Sequence, residues 1–240
     1  ERTPVTSLLL LNPRAQSMTD AFVPSARSKV RRLPQRGHYD RATVYAILDA
    51  GFICHVGYAI GGQPYVTPTT YWREGDAVYW HGAYASRMLR TLETGADCCL
   101  TVTHLDGLVL ARAAFHHSLN YRSVMLFGKA HKIEDAAEKL TRLEAYVEHL
   151  YPGRWPELRP VNAKELKATT VLGMSIDEAS AKVRSGGPVD DEADYALPIW
   201  AGVIPVHSAT GVPAGDERLA KSTKMRASLT DLTHLGLRKR

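Results

Sequence analysis

No run of about 18 apolar residues occurs in the 240-residue chain, so a bilayer-spanning helix is not expected. The run Leu8 to Leu11 in "VTSLLLLNP" has neither a basic leader nor a small-residue cleavage pattern, and a secretory signal is not expected there. Cysteine is scarce. Cys54, Cys98 and Cys99 make no disulfide framework, and a reducing cytoplasmic setting is the natural expectation. There is no Cys-x-x-Cys, no His-x-x-x-His and no nucleophile-elbow glycine pattern around a serine. His116 and His117 would point to opposite faces of a strand and could not share one ion, while "DDEAD" (190–194) reads as a solvated loop; no metal is expected.

Basic charge is present but uneven. Arg27, Lys29, Arg31, Arg32, Arg36 and Arg41 stand against Asp40 alone, and residues 221–240 carry six basic side chains against Asp231. No zinc-finger or aromatic-glycine RNA signature accompanies these clusters, so they read as solvated arms rather than nucleic-acid surfaces. Four prolines punctuate residues 1–35, an irregular arm; residues 36–205 hold one domain, and 206–240 a basic tail.

Within the domain, "YDRATVYAILDAG" predicts a short helix capped by Asp40. "FICHVGYAI", "QPYVTPTTYWR" and "DAVYWHG" are strands ending near Trp80, separated by Gly61-Gly62 and "REGD" turns. "DCCLTVTHLDGLVLARAAFHHS" reads as two strands about an Asp106-Gly107 turn, and "YRSVMLFGKAHKI" as another strand. "EDAAEKLTRLEAYVEHLYPG" is the clearest helix, and "ATTVLGMSIDEASAKVRSG" reads as one long strand. Strands joined by hairpins, with helices inserted irregularly, argue against a parallel doubly wound sheet and for a closed or split antiparallel barrel.

Chemistry concentrates at three places. After Trp80 the chain turns through His81, Gly82 and Ala83 into a helix beginning at Ser86 and Arg87, where free amides, a hydroxyl and a two-pronged cation suit an anion. Thr67, Thr69 and Tyr71 share one face of their strand, and Pro68 interrupts its ladder. Tyr121, Arg122 and Ser123 interrupt an otherwise apolar strand, with Arg122 a second candidate phosphate or carboxylate partner.

"GQPYVTPTTYWREGDAVYWHGAYASRMLR", "NYRSVMLFGKAHKIEDAAEKL", "ELKATTVLGMSIDEASAKVR" and "LPIWAGVIP" together resemble the pyridoxamine 5'-phosphate oxidase-like FMN-binding split barrels, nearest to the nitroimidazole-resistance reductase branch. The likeness runs from about Arg36 to Pro205. It implies a mainly β, antiparallel split barrel with peripheral helices, and an FMN-dependent oxidoreductase acting on a small organic molecule. It places His81, Gly82, Ala83, Ser86 and Arg87 around the FMN phosphate and ribityl chain, and Thr67, Pro68, Thr69 and Thr70 along the flavin ring. Tyr121, Arg122 and Ser123 would approach the cofactor from a second subunit of a homodimer. His81, His116 and Trp200 are the expected substrate contacts. Met88 stands where the oxidases often carry a basic residue, and their pyridoxal-phosphate contacts have no match, which favours the reductase-like branch. The alternative is a carrier or sensor of the same fold holding flavin or haem, with His81 and His116 as axial ligands; deazaflavin is a further cofactor that some relatives use.

Overall fold

The computed structural model describes residues 20–220 and 222–238; Leu8 to Leu11 lie outside them. Ten strands alternate irregularly with four helices: β1 (Gly37–His38), α1 (Arg41–Asp49), β2 (Ile53–Ile60), β3 (Gln63–Glu74), β4 (Ala77–Ala83), α2 (Arg87–Leu92), β5 (Asp97–Leu110), β6 (Ser118–Lys129), β7 (His131–Lys132), α3 (Ala136–Leu150), α4 (Ala163–Ala168), β8 (Thr169–Ser175), β9 (Glu178–Arg184) and β10 (Gly202–Pro205). Every pairing between these strands is antiparallel, in the order β1-β9-β6-β5-β2-β3-β4-β8-β7, with β10 beside β5. The two ends of this order do not pair, so the fold is a split antiparallel β-barrel. Among the described residues no helix is long and apolar enough to cross a membrane.

Local chemistry sets most of these elements. Asp40 caps α1 by accepting from the Thr43 amide at 2.7 Å, and Val44, Ile47 and Leu48 bury its inner face. Gly61 and Gly62, at φ +55° and +82°, close the β2–β3 hairpin as a two-residue turn in which both central residues need positive φ. Val56, Tyr71, Trp80, Leu100 and Leu126 fill the barrel. A second apolar layer of Trp72, Tyr79, Ile133 and Val171 lies on the outside of the sheet, where Leu143 and Tyr146 pack on it from α3.

Three expectations are corrected. Asp106-Gly107 is no hairpin: β5 runs unbroken from Asp97 to Leu110, and the register against β6 merely shifts between Leu105 and Gly107. The extra residue is absorbed as a bulge because β6 pairs with both halves and β10 adds a second partner to Gly107–Leu110. The long strand expected over 168–186 is two strands, β8 and β9, which part at Ile176 and Asp177 and join different neighbours, β4 and β6. His116 sits in a 3-10 turn, Ala114–His116, not on a strand.

Nor are the described parts of the basic arms simply solvated. Phe22 is buried, Arg27 pairs with Glu178 at 2.7 Å, Arg226 donates to the Gly153 carbonyl, and Leu235 is buried in the tail.

Candidate functional site

β3 changes partner partway along. From Gln63 to Thr70 it pairs with β2; from Tyr71 to Glu74 it pairs with β4. Among the described strands, the other edge of Gln63–Thr70 has no neighbour, while beyond Trp80 β4 keeps β8 alone. Backbone donors and acceptors on such an edge need water or a ligand. α2 stands at this opening, and its first residue, Arg87, holds its guanidinium 4.4 Å from the Tyr65 ring centroid.

Ser86 is the N-cap residue of α2, yet its side chain makes no capping bond. Arg87 has no ion pair or side-chain hydrogen bond among the described residues, in contrast to Arg27, Arg73 and Arg112. A hydroxyl and a planar cation are therefore both unspent beside an open strand edge, a donor set suited to phosphate. Met88, Leu89 and Leu92 bury the opposite side of the helix. A Cβ at Gly82 would stand 3.1 Å from Leu89 Cδ1, so the glycine lets α2 sit close against β4. β4 itself runs to Ala83, past the expected end at Trp80.

Thr67, Thr69 and Tyr71 do share a face, but it is the inner one. Tyr71 is wholly buried and donates to the Leu48 carbonyl, and Thr67 Oγ1 lies 3.2 Å from Tyr58 Oη. Pro68 and Thr70, between them in the alternation, turn to the outer face.

His81 lies on the outer face of β4, edge-on to Tyr146 at 4.4 Å between centroids and 6.0 Å from Trp72. Its Nδ1 is buried with no hydrogen-bond partner, and burial pulls its pKa below the ordinary 6.5, so the imidazole is neutral at neutral pH. An orphaned nitrogen of this kind is costly unless something fills the role of partner.

The remaining predicted residues lie elsewhere in the protomer. β6 is separated from β3 by β5 and β2, or about 14 Å at ordinary strand spacing. Tyr121, Arg122 and Ser123 therefore do not sit at the β3 opening of their own chain. Arg122 is also already engaged: Nε and Nη2 each donate to the Asp106 carboxylate at 2.9 Å, across the β5 bulge, and this pairing raises its pKa further. Ser123 Oγ donates to the Lys182 carbonyl at 3.3 Å. His116 Nε2 lies 3.5 Å from Asp191 Oδ2, and Trp200 is 65% exposed with its ring over Gly202. His81, His116 and Trp200 occupy three different surroundings, and no contact joins them.

His55 was not among the predicted site residues. It is exposed on the outer face, opposite Pro68 on one side and Thr101 on the other. Ile53, Val66 and Met125 are exposed on the same face, an apolar surface of the kind that meets a partner or ligand. The alternation in "FICHVGYAI", with Cys54, Val56 and Tyr58 buried, already assigns His55 to the outside.

A family model described as pyridoxamine 5'-phosphate oxidase matches residues 40–183. Flavocytochrome Anf3 from Azotobacter vinelandii is 50% identical over 87% of this chain and 97% of its own, with a TM-score of 0.83. A FAD and heme binding protein from Mycobacterium smegmatis is 35% identical over 82% of this chain and 97% of its own, at TM-score 0.79. A protein named for 5-nitroimidazole antibiotic resistance, from Bacteroides thetaiotaomicron, is 24% identical over 61% of this chain and 86% of its own; its TM-score of 0.51 supports the fold alone. Among curated proteins none matches.

Proposed function

Because the chain belongs to the pyridoxamine 5'-phosphate oxidase family, we propose that it is a flavin-dependent oxidoreductase of a small organic molecule, working in the cytoplasm as a homodimer. The observation that carries this reading is the unpaired edge of Gln63–Thr70 beside an uncommitted Ser86 hydroxyl and Arg87 guanidinium. These residues fit a flavin phosphate, FMN in the simplest case. Ser86 and Arg87 would bind it by charge-assisted hydrogen bonds. Pro68 and Thr70 would lie along the ring. A bound flavin supplies the redox chemistry; the protein binds it, orients the substrate and excludes water.

A second subunit is part of the same proposal. Ile53, Val66 and Met125 leave apolar surface exposed on the face that includes Pro68, which supports a two-fold interface across which Tyr121 and Ser123 would approach the opening.

A second reading adds haem to the flavin. The names of the relatives at 50% and 35% identity favour it. His81 and His116 are poorly placed to be its ligands, the first enclosed by Trp72 and Tyr146, the second turned to Asp191. Exposed His55, on the outer face, is the better candidate.

The test is to purify the protein, release its cofactors and identify them by mass, alongside absorption spectra before and after reduction. A flavin reduced by NAD(P)H and reoxidised by an added organic acceptor supports the enzyme. A flavin that is reduced but never reoxidised by any acceptor leaves a carrier. Protein with neither flavin nor haem overturns both readings.

A further inference from the structure

We propose that His116, Asp191 and Asp194 form a divalent transition-metal site that clamps the segment bearing Trp200 to the connection between β5 and β6. The imidazole comes from the 3-10 turn Ala114–His116, and the carboxylates from the start of another, Glu192–Ala196, whose N-cap is Asp191. Although about 75 residues apart in sequence, one nitrogen and one oxygen from each carboxylate all lie within 4.8 Å of one another. Ligands at ~2.0–2.2 Å from a tetrahedral ion stand about 3.3–3.6 Å apart, so the widest pair closes by up to roughly 1.5 Å, a rotamer-scale adjustment of side chains on two surface turns.

The surrounding scaffold holds both halves in place without the ion. Asp190 is fully enclosed and accepts from the Arg112 amide at 2.9 Å and from Arg112 Nη1 at 3.0 Å. The Arg112 guanidinium also lies 4.9 Å from the Tyr195 ring centroid. Arg112 belongs to the same connection as His116, and Asp190 and Tyr195 bracket the two ligating aspartates. Arg112 is thereby directed at Asp190. Among the described residues no lysine or arginine pairs with Asp191 or Asp194, so two carboxylates stand close together beside the His116 imidazole.

The donor set selects the ion. One imidazole and two carboxylates suit Mn(II), Fe(II) or Zn(II), whereas Ca(II) and Mg(II) prefer oxygen alone. Two carboxylates neutralise a divalent charge, and three protein ligands leave positions for water. The expectation of a solvated acidic loop left out His116, because spacing along the chain does not show that the β5–β6 connection folds back onto it.

The site is tested on the full chain, purified with its own cofactors and dialysed against chelator, by titrating Mn(II) and following the free-ion EPR signal. One Mn(II) per chain is expected, displaced by Zn(II) and not by equimolar Ca(II). His116→Ala and Asp194→Asn should each weaken binding at least ten-fold while melting temperature and cofactor content stay at wild-type values. Should either variant lose its fold, Asp191→Asn, at the most exposed ligand, gives the same comparison. Failure of the wild type to bind Mn(II) below millimolar concentration overturns the proposal. Retention of wild-type affinity in His116→Ala overturns it too, since the ion would then lie elsewhere or on carboxylates alone.

Discussion

Replacing Arg87 with alanine removes a cation that makes no ion pair among the described residues. Its guanidinium makes one contact, over the Tyr65 ring, worth ~0.5–1 kcal/mol at an exposed position. That is small beside the ~5–15 kcal/mol stability of an ordinary domain, so the fold should survive. A charge-assisted hydrogen bond to a flavin phosphate contributes ~1.5–3 kcal/mol, which is about one to two decades of affinity. Arg87→Ala should therefore weaken FMN binding ten- to a hundred-fold, while riboflavin, which has no phosphate, changes little. Quenching of flavin fluorescence in titrations of apoprotein measures both ligands in one format. Arg87→Lys should recover only part of the loss, because a point charge cannot reproduce the planar fork. Equal weakening of FMN and riboflavin would refute the assignment of the phosphate to this corner. No change in either would mean that Arg87 serves only Tyr65.

Burial holds His81 and His149 below their ordinary 6.5, so the unfolded chain binds more protons than the folded one between 6.5 and the lowered values. Stability should accordingly fall as pH drops from about 7.5 to 5.5, and urea midpoints should show a shallower fall in His149→Gln. Gly173→Ala would put a Cβ 2.8 Å from Tyr79 Cε1 and 3.1 Å from the His131 ring, and should cost ~1–3 kcal/mol in denaturant titrations; an unchanged midpoint would show that the α3 layer can yield. Burial pushes the Cys54 thiol up to about 12 and Cys98 up to about 11, so a thiol reagent should modify half-buried Cys99 first and reach Cys54 only in denaturant, as peptide mass mapping would show.

What sequence reveals here is what neighbours in sequence decide. The α1 cap at Asp40, the Gly61-Gly62 turn and the stripe of α3 each depend on residues within a few positions, and each appears where local chemistry puts it. Asp106-Gly107 shows the opposite case. Its turn signal is local, but whether β5 folds back there is decided by β6 and β10, the latter about a hundred residues away. Corners are equally silent: nothing in the period of "VLGMSIDEASAKV" marks the change of neighbours between β8 and β9. At the site, the motif around Ser86 and Arg87 is contiguous and was legible. The engagement of Arg122 by Asp106 and the packing of Tyr146 on His81 were not, because each joins residues that only the folded sheet brings together.

The change of partner along β3 also bears on how this sequence can diverge. β3 is pinned at both ends by tight turns, Gly61-Gly62 before it and Gly75 after it, so a residue inserted near either end would invert every side chain up to the next flexible point. Around Pro68 to Tyr71, where one ladder stops and the other starts, an added residue can bulge outward while both ladders keep their register. Length variation among relatives should therefore collect at the very stretch proposed to lie against the flavin. Ligand preference could then drift while the barrel on either side stays in register.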